Sequence, residues 1–176
     1  MRQQSAEKPA RILVIAYGNP LRCDDGVAWQ AAETIRRQLQ WAEVACVHQL
    51  TPELAESVSL AETVIFLDAA RDGAPGTVHC EVIAPDVRDM RFSHHLSPRE
   101  LLSLCRDLYS ARPHAFLISM NGQRFGHGEE LSAAALRAIP AALGEVSAIV
   151  RRVSEAAQCR DAKNGTPGTA VAHPAR

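Results

Sequence analysis

The chain has 176 residues, 19 Lys+Arg against 20 Asp+Glu, and a pI near 6.6, a size that suits one domain with a real core. A net charge of −1 leaves no broad basic field and so argues against a general nucleic-acid binder. With 47% hydrophobic and 22% charged residues, collagenous, coiled-coil and wholly disordered architectures are excluded.

Residues 1–10 (MRQQSAEKPA) are polar, lack the apolar middle of a secretory signal, and predict a flexible N-terminus. Arg11 to Tyr17 (RILVIAY) predicts a buried strand. The loop GNPLRCDD follows, then a helix from about Gly26 to Gln40 with an apolar stripe of Ala28, Ala31, Ala32, Ile35 and Leu39. Trp29 and Trp41 read as packing residues on or beside it, and Arg36-Arg37 as a solvated face. Glu43 to Gln49 predicts a second strand, and Thr51-Pro52-Glu53 a helix start with a hydroxyl cap and Pro in the first turn. Thr63 to Asp68 (TVIFLD) is the most hydrophobic strand.

The turn cluster 71–76 (RDGAPG) leads to a strand over 78–84, and so short a link suits an antiparallel neighbour. Ser97-Pro98-Arg99-Glu100 is a capping box opening a helix with Leu101, Leu102, Cys105, Leu108 and Tyr109 on its inner face. Ala115 to Met120 is the last strand. Helical sequence resumes at Leu131 and runs to about Ala157, with a break or kink expected at Pro140 and Arg151-Arg152 on a solvated face. Residues 158–176 have little to bury and predict a disordered tail. The alternation predicts a three-layer α/β/α sandwich over residues 11–157, around a mostly parallel, roughly five-stranded twisted sheet with one antiparallel strand.

No apolar run approaches the roughly 20 residues of a membrane span, so no membrane partner is expected. Five scattered cysteines form no CxxC pair and no disulfide framework, which points to the cytoplasm.

In such sheets chemistry gathers where strand C-terminal ends release into loops. The first loop has one early glycine, Gly18, and puts Asp24 and Asp25 at a helix start, a pair that repels phosphate and attracts cations. The third strand ends in Asp68, an acid that either caps the next turn, accepts a bond from Arg71, or serves a site. Ser93-His94-His95-Leu96 precedes the capping box, and adjacent histidines point apart, so His94 or His95 could face the same rim. Two carboxylates and an imidazole suit a borderline divalent metal such as nickel, zinc or cadmium. Cys23, beside two acids, is a poor nucleophile and reads as a small loop side chain.

Gly18-Asn19-Pro20-Leu21 with Asp24-Asp25-Gly26 behind an ILVI strand resembles the opening signature of the hydrogenase maturation endopeptidases. So do VIFLDA followed by Ala74-Pro75-Gly76, the histidine loop, and the stretch 122–131 (GQRFGHGEEL) before the last helix. The resemblance covers roughly residues 11–153. It implies a cytoplasmic peptidase that removes a C-terminal extension from the large-subunit precursor of a nickel–iron hydrogenase after nickel insertion, the nickel arriving with the substrate and no organic cofactor being needed. It further implies that Asp25, Asp68 and His94 are the metal-binding and catalytic residues, with His95 as the alternate ligand if a gap is allowed. Asn19 and Asp24 would shape and support the loop. The chain departs from the family at Ala28, where a glycine is frequent, and at 48–52 (HQLTP), where an Asp-Gly-Gly-Thr-like loop is common. The competing readings are a metallochaperone or scaffold that holds the nickel-loaded subunit uncut, and a small-ligand hydrolase or phosphorylase, which the acidic first loop disfavours.

Overall fold

The structure, a computed structural model, describes residues 11–86 and 96–164. Strands β1 (Ile12–Tyr17), β2 (Glu43–Val47), β3 (Thr63–Ala70), β4 (Val78–Ile83) and β5 (His114–Asn121) form one sheet in the order β2-β1-β3-β5-β4. Every neighbouring pair is parallel except β4 with β5. Helices α1 (Val27–Gln38) and α4 (Ala133–Asn164) cover one face, and α2 (Leu54–Leu60) and α3 (Pro98–Tyr109) the other. The expected three-layer sandwich, with its single antiparallel strand, is the fold.

Period-two alternation divides the core. Val14, Ile65, Leu67 and Ile118 join the α1/α4 cluster. Ile15, Val64 and Phe66 join Leu101, Leu102 and Cys105 on the other side. Because both faces are covered, β1 and β3 read as continuous apolar runs rather than alternating ones.

The capping box of α3 forms as predicted: Ser97 Oγ accepts from the Glu100 amide at 3.3 Å, and Glu100 Oε2 accepts from the Ser97 amide at 2.7 Å. Its inner face is narrower than expected, since Leu108 is 65% and Tyr109 46% exposed beyond the sheet's reach. Thr51-Pro52-Glu53 makes a turn instead of a cap. The helix begins at Leu54 after Glu53, with no side-chain cap bond, because the Leu54 and Ala55 amides go to the Thr51 and Pro52 carbonyls. Trp29 is half-buried and donates Nε1–H to the Val47 carbonyl at 3.2 Å, whereas Trp41 lies past the helix end and is exposed.

Helix α4 continues through Pro140 to Asn164, the last residue described before 165–176, so 158–164, expected in a disordered tail, are helical, and the rest of that expectation lies outside the described residues. Pro140 lies on the solvent side, as does Leu136, whose carbonyl loses its amide partner and can be hydrated. Residues 133–156 are, against expectation, long and apolar enough to cross a membrane by length and composition. Here that stretch places Ala135, Ala138, Ala142, Val146 and Ile149 in the core.

Candidate functional site

Strand order reverses around β1. From β1 the chain crosses to β2 through α1, then returns through α2 to β3 on the other side of β1. The C-terminal ends of β1 and β3 therefore border a switch-point crevice, where the splayed connections leave room for a ligand. Tyr17 ends β1, and Asp68 lies near the end of β3, one position past the paired Ala16 and Leu67.

Asp25 reaches this crevice from a short 3-10 turn, Cys23–Gly26, that precedes α1. Its Oδ2 accepts from the Asn19 amide at 2.8 Å, while Asn19 Oδ1 accepts from the Leu21 amide at 2.9 Å. Asn19 thus shapes the loop and fixes the Asp25 carboxylate. Gly18 allows the loop to close: φ is +137°, and a Cβ there would lie 2.1 Å from the Asp25 carbonyl oxygen.

Asp68 is largely buried and accepts from the Tyr17 hydroxyl at 2.8 Å. Burial pushes its carboxyl up to about 6, against bonds from Tyr17 and the Ala69 amide that favour the charged form, with the nearby Asp25 charge adding to the rise. Tyr17 is itself raised, first by burial and then by the negative charge and hydrogen bond of Asp68, so it stays a hydroxyl donor. The sequence offered Arg71 as a partner for Asp68. Instead the Arg71 guanidinium lies over the Phe125 ring, 4.4 Å from its centroid. Tyr17→Phe is expected to raise the Asp68 carboxyl further, by roughly one pH unit, through loss of a donor to the ionised form. Carboxyl carbon NMR titration reads this directly; a fall would contradict the assignment.

Asp24 turns inward and is fully buried. Its oxygens accept from the amides of Gln123 (2.6 Å), Arg124 (2.8 Å) and Ser132 (2.6 Å) and from Ser132 Oγ (2.7 Å). Burial disfavours its charge, yet these bonds outweigh burial and hold its carboxyl below the ordinary value. The Cys23 amide adds a bond to the Gly128 carbonyl and the Gly128 amide one to Leu21. The 122–132 segment is thereby tied to the first loop across about a hundred residues of sequence. Buried Cys23 has φ 52° and lies 3.2 Å from where a Cβ on Gly128 would be, a packing role.

Asp25 thus lies near enough for its charge to act on Asp68, Asn19 holds the Asp25 carboxylate, and Asp24 ties the first loop to the 122–132 segment. His94 and His95 lie outside the described residues. Among the described residues no group of three His, Cys, Asp or Glu side chains gathers to hold a metal. Two residues escaped the sequence reading. Tyr17 reads as the last apolar position of a strand, and its partner is 51 positions away. Ser132 also caps α4, accepting from the Ala135 amide at 3.1 Å. A serine directly before an alanine run signals such a cap.

No family model and no curated protein matches the chain. Solved structures do. The hydrogenase maturating endopeptidase HybD from E. coli superposes with a TM-score of 0.66 at 23% identity, covering 81% of this chain and 93% of that one. The [NiFe] hydrogenase maturation proteases HybD and HycI from Thermococcus kodakarensis give TM-scores of 0.61 and 0.62 at 20% and 21% identity. Each covers 80% of this chain, and 99% and 92% of its own counterpart. The chain has the fold of the hydrogenase maturation endopeptidases.

Proposed function

We propose that this chain is a cytoplasmic, aspartic-type endopeptidase that removes the C-terminal extension of a nickel–iron hydrogenase large-subunit precursor after nickel insertion, recognising the nickel the precursor carries. The observation that carries the reading is the convergence of Asp25 and Asp68 at the switch point of a fold shared with such proteases. Two carboxylates held near one another repel, and a bound cation relieves that repulsion. Nickel belongs to the substrate here, and an imidazole from His94, or alternatively His95, completes the mixed oxygen/nitrogen set that a borderline metal favours. Supporting this, Leu96, directly after those histidines, packs in the α2/α3 cluster that Tyr17 also joins. By strand alternation from Val64 and Phe66, Asp68 points to that same face.

A carboxyl near 6 is matched to proton transfer at neutral pH, so Asp68 is the general base that takes a proton from the attacking water. Asp25, fixed by the Asn19 amide, holds the cation end of the substrate. Free cysteines throughout are compatible with a reducing compartment.

The test is to mix the protein with nickel-loaded and with nickel-free precursor and follow intact masses. Loss of a C-terminal peptide from the nickel-loaded form alone is expected. Stable binding without a product would establish the scaffold reading instead.

A further inference from the structure

A second cavity, of about 510 Å³, lies at the other end of the sheet, between the later turns of α4 and the segments entering β3 and β5. That volume falls within the roughly 300–1,000 Å³ of small-molecule sites. Phe116, Ile149 and Val153 give it apolar walls. Thr63, also lining it, is 0% exposed, and its Oγ1 has no hydrogen-bond partner among the described residues.

Two arginines from different walls stand at the mouth, Arg112 before β5 and Arg152 on α4. Both are exposed, and neither forms an ion pair with a described carboxylate. Glu62 is the one carboxylate among the described lining residues. Cationic heads on apolar stems around an apolar recess recognise a molecule with one charged end.

We propose that this cavity binds an amphipathic organic anion, its apolar body against Phe116, Ile149 and Val153 and its carboxylate or sulfonate head held by Arg112 and Arg152. The site is separate from the Asp25/Asp68 crevice and does not depend on the proposed activity.

Fluorescence titration of the full chain with anilinonaphthalene sulfonate tests this. Saturable binding at one site is expected, displaced by decanoate and not by decanol. The double variant Arg112→Gln/Arg152→Gln should weaken it about tenfold. Val153→Trp, which fills the recess, should abolish it while circular dichroism stays unchanged. Absence of saturable binding, equal displacement by decanol, or wild-type affinity in the double arginine variant would each overturn the proposal.

Discussion

Asp24→Ala is expected to lower the free energy of unfolding by about 4 kcal/mol or more, a large share of a typical domain's stability. The substitution strips the acceptor from three backbone amides and a serine hydroxyl at once. Each donor left buried without a partner costs roughly 1–3 kcal/mol. Asp24→Asn should also destabilise, because its amide end presents hydrogens to donors. The pH dependence has a definite sign. The folded-state carboxyl lies below its ordinary 3.8, so its contribution is present above that value and lost as pH falls through the folded one. Urea unfolding at pH 7 measures the loss; a change under about 1.5 kcal/mol would mean that water replaces the carboxylate.

Asp68→Asn should cut precursor cleavage at least a hundredfold while making the protein more stable at pH 7. The two effects share one cause. The folded state holds this carboxyl near 6 against 3.8, so its protonated form is the one that folding favours. That contribution is complete below 3.8 and lost as pH rises through 6, so at pH 7 the ionised group costs stability on the order of 1–3 kcal/mol. Asparagine removes the charge and still accepts from the Tyr17 hydroxyl. The wild type should accordingly lose activity as pH falls through about 6, where Asp68 takes up a proton. Thermal melts at pH 5 and 7, run beside cleavage assays, check both halves. Equal destabilisation of the variant at both values would contradict the account.

The fold was legible because its strands are written as β-branched runs and one helix start carries a complete capping box. Helix ends were less so. Pro140 takes one amide bond from α4 on the side that meets water, where the Leu136 carbonyl can be hydrated, and periodicity along a sequence does not reveal which side that is. Leu108 and Tyr109 continue the apolar stripe of α3, but the sheet stops short of them. The placement of Asp25 and Asp68 beside the switch-point crevice was legible from the rule that loops after strand C-terminal ends border such a crevice. The division of labour inside Asp24-Asp25 came only from the family resemblance and not from the residues themselves, since the partners of Asp24 lie 99 to 108 residues further on. Tyr17 was hidden for the same reason: its hydroxyl bond is tertiary, while its strand position has an adequate local explanation.

Asp25 and Asp68 are proposed to serve one step, Asp25 holding the cation that the precursor carries and Asp68 taking the proton from the attacking water. A double-mutant cycle on cleavage of nickel-loaded precursor, with Asp25→Asn, Asp68→Asn and the pair, measures this most directly. Each single variant should lose at least about a hundredfold, and the pair little more than either alone, as groups that serve one step behave. Fully multiplicative losses, or cleavage that survives in either single variant, would contradict it.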